Sequence, residues 1–228
     1  MAENRSIILS RDGSHTLFHP ELNETYHSRN GALRESIYVY IDKGFSLYRE
    51  LPEVHVIEVG FGTGLNALLT WNAAEEYRQC VHYHTLEPFP LPEDLFSQLN
   101  YPSLMSNPAA EERFRQLHQA VWEEEVKLSE YFTLHKYNTT LENAALPPDT
   151  YHLCYYDAFA PSRQTEIWSE GNLAKIFRSL NEEGVLVTYC AQGQFKRTLK
   201  AVGFRVEKLK GPPFKEEMIR GWKKSIET

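Results

Sequence analysis

The stretch Val56-Ile57-Glu58-Val59-Gly60-Phe61-Gly62-Thr63-Gly64-Leu65-Asn66 decides the fold. Residues 54–60 are an apolar, β-branched run that reads as a buried strand, and residues 65–77 read as a helix. Between them lies a turn of alternating glycines. Such a turn bends sharply and lets a ligand approach the backbone, while the following helix start offers free N–H groups. The spacing is GxGxG, not the GxGxxG of pyrophosphate-binding loops. Glu58 adds an acidic group just ahead of the turn. A carboxylate there suits a ligand carrying an ammonium group and repels a pyrophosphate. These two features favour S-adenosylmethionine over a dinucleotide.

Working outward, strand and helix signals alternate. Further strands are expected at 81–87, 131–137, 151–156 and 184–191, and helices at 168–180 and 194–202. A terminal strand pair, 203–209 and 217–222, is joined by GPPFKE. Residues 88–130 form a proline-punctuated, partly helical insertion, with one helix opening at Asn107-Pro108. Alternation of this kind predicts an α/β fold, a doubly wound and mostly parallel sheet of seven strands. Residues 1–50 precede this 51–228 domain as an extension packed on it or lidding it. They carry a hairpin turn at Asp12-Gly13 and a helical pattern over 31–41 that ends at Lys43-Gly44.

In doubly wound sheets, ligands bind beyond the carboxyl ends of the strands. Glu87, ending the second strand, is placed to accept both ribose hydroxyls, and Asn138, ending the third, to meet the adenine edge. Asp157 ends the fourth strand and is followed by Phe159 and Pro161, which stiffen its loop. It is placed to orient or deprotonate an amine nucleophile. His82 and His84 share one face of the second strand, but no cysteine or carboxylate follows at ligand spacing, so they read as structural and no metal is expected.

The 228 residues carry a formal charge of −7, with 42% hydrophobic and 13% aromatic residues, which excludes a disordered chain. Every apolar run is too short to cross a bilayer, and the N-terminal apolar stretch is too short for a secretory signal. Cys80, Cys154 and Cys190 are far apart and lack CxxC spacing, which fits buried thiols in a reducing cytoplasm. The charge is uneven. Residues 193–228 hold ten Lys/Arg against four Glu, a local +6 that leaves −13 on the rest. A polyanionic partner is therefore compatible with this one segment.

DGSHTLFHPELNETYHS, VIEVGFGTGLNALLTW, LEPFPL, YYDAFAP, GVLVTYCAQGQFKRTLKAVGF and GPPFKEEMIRG together resemble the methyltransferase half of the bacterial MnmC tRNA-modifying proteins. The likeness runs over about residues 10–222 and is greatest to stand-alone relatives without the flavin-dependent oxidase half. It implies a Rossmann-like class I S-adenosylmethionine-dependent methyltransferase, acting in the cytoplasm on the anticodon region of tRNA. The methyl group would go to the exocyclic amine of wobble 5-aminomethyl-2-thiouridine, an amine supplied by a separate oxidase or by upstream wobble-modification enzymes. By the resemblance Asp157 is catalytic, Glu58, Gly60, Phe61, Gly62, Gly64, Asn66 and Glu87 hold the cofactor, and Tyr26 and His27 lie beside it or the target base. Lys215 and Met218 would stand on the substrate side. Two segments depart from the family pattern: His135-Lys136-Tyr137-Asn138 replaces an acidic turn, and Gly211-Pro212-Pro213-Phe214 replaces a more basic run. Tyr26, Phe159 and Trp168 are candidates to stack on an extruded base. Three readings compete with this one: a small-molecule amine methyltransferase, a spermidine-synthase-like aminopropyltransferase, and a binding module without turnover.

Overall fold

The computed structural model describes residues 5–223, so residues 1–4 of the extension and Lys224 and Glu227 of the basic tail lie outside it. In chain order the elements are β1 (Ser6–Leu9), β2 (His15–His19), β3 (Glu24–Thr25), α1 (Ala32–Ser36), β4 (Glu53–Val59), α2 (Leu65–Tyr77), β5 (Cys80–Leu86), α3 (Glu93–Phe96), α4 (Ala110–Gln119), β6 (Glu125–Lys127), β7 (Phe132–Tyr137), β8 (Tyr151–Tyr156), α5 (Glu170–Ser179), β9 (Leu180–Thr188), α6 (Gly193–Val202), β10 (Arg205–Lys210) and β11 (Glu217–Trp222). β1, β2 and β3 form a small antiparallel sheet.

The main sheet has eight strands, in the order β10-β11-β9-β8-β4-β5-β7-β6, where sequence spacing predicts seven. The additional strand is β6, three residues of a charged run laid antiparallel against β7. So short and charged a segment gives no periodic signal, and its charges keep an edge from pairing further. β5, β4, β8, β9 and β7 are mutually parallel, while β11 pairs antiparallel with β9 and β10. The chain leaves β4 toward β5 and β7, then returns to the other side of β4 with β8. The crevice above the ends of β4 and β8 is thus the topological switch point.

The helical pattern at 31–41 is realised as α1 continuing into a π-helix, Ile37–Asp42, with the Lys43 N–H donating to the Tyr38 carbonyl. Wider turns of this type recur at functional sites. Here the turn buries Val39 and Tyr40 against the sheet, with the Tyr40 and Tyr155 rings 5.0 Å apart. Leu17, Ala32, Val39, Tyr40 and Phe45 lie in one continuous core with Val54, Val56, Leu153 and Val187 of the strands. A second core on the opposite face joins Ile57, Val59, Cys154 and Leu186 to residues of α5 and α6. Phe45 is fully buried and stacks on Tyr77 at 6.0 Å. Phe45→Ala is expected to lower unfolding free energy by about 3–5 kcal/mol in a denaturant titration. A loss near zero would show that the first fifty residues are not part of the cooperative unit. Among the described residues, no helix is long and apolar enough to cross a membrane.

Candidate active site

The glycine loop forms because its backbone needs conformations that side chains avoid. Gly60 has φ +94°, and a Cβ there would sit 2.7 Å from the Asp157 carbonyl oxygen. Gly64 caps α2 in the left-handed region at φ +73°, its missing Cβ leaving room for His118 Nε2. The close approach at Gly60 carries the loop onto Asp157, and the Asp157 N–H donates to the Val59 carbonyl.

Behind the loop, Asn66 in the first turn of α2 ties two carboxyl groups together. Its Nδ2 donates to Glu58 Oε1 at 3.1 Å and to Asp157 Oδ2 at 2.7 Å. Thr85 Oγ1 donates to the other Glu58 oxygen at 2.8 Å. Glu58 is fully buried beneath α2, because it alternates with Val54 and Val56. Burial, then the charge of Asp157, pushes its pKa up to about 8. Burial also raises Asp157, to about 6, while the Tyr40 hydroxyl, the Asn66 amide and the Lys215 ammonium pull the other way. Near neutrality the pair thus holds one negative charge, on Asp157. Asp157 lines the adjoining cavity, whereas Glu58, on which sequence reading places the counter-charge, does not.

That cavity, about 540 Å³, runs over the ends of β4, β5, β7 and β8 and is lined by Gly60, Glu87, Leu141, Asp157, Phe159 and Tyr26 among others. Glu87 sits on its wall, with Oε2 accepting from the Gly62 N–H at 2.9 Å and Oε1 from the Phe89 N–H at 2.8 Å. Asn138 is set back: its Nδ2 donates to the Glu87 carbonyl, and Thr139, Thr140, Leu141 and Glu142 reach the cavity instead. Those four follow β7 directly, so the strand-end rule applied two residues further would have named them. Arg5, His19 and Gln164 also line the cavity without any sequence signal.

A second pocket of about 510 Å³ shares Tyr26 with the first and is lined by His27, Glu35, Arg163, Tyr189 and Lys215. Tyr26 meets Phe159 edge-on at 5.0 Å. His27 Nε2 lies 2.8 Å from Thr63 Oγ1, and burial lowers its pKa to about 4, leaving it neutral. Lys215 pairs with Glu35 at 2.6 Å and lies 4.3 Å from the centre of the Tyr189 ring. Glu35 is unmarked in the sequence, since it sits mid-helix in a polar stretch. Other expected residues lie elsewhere. Phe61 points into the core against His118 and Trp122, and Met218 is fully buried in β11. Trp168 is a core aromatic packed on Tyr156 and Phe195, its Nε1 donating to the Phe159 carbonyl. Pro161 is outside both linings.

Residues 109–224, half of the chain, match a family described as S-adenosyl-L-methionine-dependent methyltransferase. The chain belongs to this methyltransferase family. It is also 30% identical to the tRNA 5-methylaminomethyl-2-thiouridine biosynthesis bifunctional protein MnmC of Cupriavidus metallidurans, over 92% of this chain and 33% of that protein. The MnmC protein of Magnetococcus marinus is 28% identical over 90% of this chain and 32% of its own length. The chain therefore spans about a third of the length of the curated relatives it matches. The fold matches the crystal structure of MnmC2 from Aquifex aeolicus with a TM-score of 0.82, at 24% identity, covering 98% of this chain and 72% of that one.

The methyltransferase site fits the family's cofactor, S-adenosyl-L-methionine. Asn66 Oδ1 is buried with no hydrogen-bond partner, beside the carboxylate of Asp157. Of the two, Asp157 reaches the cavity, and a buried anion there suits a cation such as the cofactor's ammonium. Gly60 lines the cavity with bare backbone held against Asp157, a contact that any Cβ would break, and Glu87 presents a carboxylate further along the same cavity.

The basic tail is largely paired within the protein. Lys196 and Lys208 share Glu217, Arg220 pairs with Glu207, and Lys223 with Asp149. Among the described residues of the tail, Arg197, Lys200, Arg205 and Lys210 make no ion pair, and Arg205 lies instead over the Trp222 ring.

Proposed function

We propose that this methyltransferase acts on tRNA in the cytoplasm, methylating the exocyclic amine of 5-aminomethyl-2-thiouridine at the wobble position. One juxtaposition carries the reading: a buried, ionised Asp157 lines a cofactor-sized cavity that shares Tyr26 with a second polar pocket. It occurs in a chain similar to MnmC proteins over nine-tenths of its length. Glu87 would receive the ribose hydroxyls and Asp157 the ammonium end, with Asn66 holding the Asp157 carboxylate from behind. Glu58 acts from behind, by fixing Asn66, and Asn138 by bracing Glu87. Residues 1–50 wall the substrate side, with Tyr26, Phe159 and Tyr189 offering ring faces to an unstacked base.

S-adenosyl-L-methionine supplies an activated methyl on a sulfonium. The chain's part is to position the amine and receive its proton. A buried carboxylate can do both, by accepting a hydrogen bond from the neutral amine and taking the proton released as the methyl group bonds to its nitrogen. Lys215, tied to Glu35, keeps a second positive charge at the edge of the substrate pocket. It favours the ionised form of Asp157 and a phosphate nearby.

The test presents labelled S-adenosyl-L-methionine to the purified chain with tRNA bearing the aminomethyl group, unmodified tRNA and free small amines. Label found by nucleoside mass spectrometry in the amine-bearing wobble nucleoside is the expected result. Turnover confined to free amines, or aminopropyl transfer from the decarboxylated donor, overturns it.

A further inference from the structure

At the opposite ends of the strands from Asp157, two neighbouring segments of sequence meet in register. Glu53-Val54-His55 opens β4 and Cys80-Val81-His82 opens β5. The parallel ladder sets Glu53 beside Cys80 and His55 beside His82. Strand alternation puts all four on one face of the sheet. His82 reads as structural along its own strand. Its partners come from the strand beside it.

The atoms converge on one point. Glu53 Oε1 lies 3.0 Å from His55 Nε2 and 3.3 Å from His82 Nε2, and the three ligand atoms are mutually within 4.8 Å. Ligands about 2.0–2.2 Å from a tetrahedral zinc ion lie about 3.3–3.5 Å from one another. The spacing is thus that of three corners of such a site. The two imidazoles are stacked, 4.5 Å apart and 7° from parallel, so they must splay for both lone pairs to meet an ion. Their side chains are 29% and 30% exposed, which leaves them that freedom. The backbone is held more firmly: the His55 N–H donates to His152 Nδ1 at 3.0 Å, from the strand on its other side.

We propose that Glu53, His55 and His82 form a binding site for a borderline divalent transition metal, Zn²⁺ in the first instance, with Cys80, exposed at the adjacent register position and outside that cluster, turning in as the fourth ligand. Two imidazoles, a carboxylate and a thiolate are a donor set that zinc prefers over magnesium or calcium, which take oxygen ligands. The ion would pin the leading ends of β4 and β5 together and would stabilise the fold by binding only the native state.

The experiment uses the full chain, stripped with a chelator and dialysed. Zn²⁺ is titrated in competition with a chromophoric chelator, and Co²⁺ is used as a spectroscopic substitute. One equivalent per chain is expected, with a Zn²⁺-dependent rise in Tm and the intense visible bands of tetrahedral cobalt. A near-ultraviolet thiolate-to-cobalt band should disappear in Cys80→Ser; its absence in the unaltered chain overturns the fourth-ligand assignment. The double variant His55→Asn, His82→Asn should bind at least about tenfold to a hundredfold more weakly, matching or exceeding the loss of an outer-shell partner. Weak binding that the double variant shares, or an octahedral cobalt spectrum, overturns the site. The stoichiometry and the cobalt spectrum of the unaltered chain decide it even where the double variant does not fold.

Discussion

Replacing Asp157 by Asn is expected to lower kcat by about 10²–10⁴-fold, the range carried by a positioned proton acceptor. The comparison is made at saturating cofactor, because loss of the carboxylate also weakens the hold on the cofactor's ammonium, and the kcat loss that remains lies in chemistry. Asparagine keeps the size and the contact with Asn66 but cannot take a proton. The pH dependence gives the sharper signature. The Asp157 carboxyl, raised by burial to about 6, is ionised above that value and protonated below it. A protonated Asp157 cannot accept, so log kcat/KM should fall with acid more steeply below about pH 6 than above it. The reason is that two protons, one on the substrate amine and one on Asp157, must then be absent. In Asp157→Asn the steeper limb should vanish and leave only the substrate's own titration. An unchanged profile would remove Asp157 from proton transfer.

The second large effect is expected at Gly60. Alanine there would carry its Cβ to 2.7 Å from the Asp157 carbonyl oxygen, at a φ of +94°. Neither partner can swing away, because both are backbone. The left-handed conformation costs a substituted residue about 1–2 kcal/mol before the clash is added. The loop and Asp157 must therefore separate, and cofactor affinity should fall by about 10²-fold or more, since each 1.4 kcal/mol is a factor of ten. Gly171→Ala is the matched control. It lies within α5 with open space around its Cβ position, and should be neutral or stabilising by up to about 1 kcal/mol. Calorimetric titration with S-adenosyl-L-methionine separates the two. Equal affinity in both variants would show that the contact between Gly60 and Asp157 is not needed.

Much of this architecture is legible in the amino-acid order. The β4–loop–α2 unit is written in its glycines and each parallel strand in its apolar run, whereas the short antiparallel β6 is not. The conversion of the 31–41 helix into a π-helix is not legible, because Tyr38, Val39 and Tyr40 satisfy either winding and packing against Tyr155 selects one. Asp157 and Glu87 follow from the strand-end rule. The burial of Glu58 was available too: alternation sets it on the face of Val54 and Val56, under α2. The role of Glu35 and the meeting of His55 with His82 were not available, since each depends on which distant segment becomes a neighbour.

The continuous core under the first fifty residues bears on turnover. Leu17, Tyr40 and Phe45 are sealed among the strands, so the wall they support cannot hinge outward without exposing apolar surface that the whole protein needs to stay folded. The entrance is therefore a rigid aperture. A substrate must be shaped to pass it, so selection between substrates is made at the threshold, before any reacting group is met.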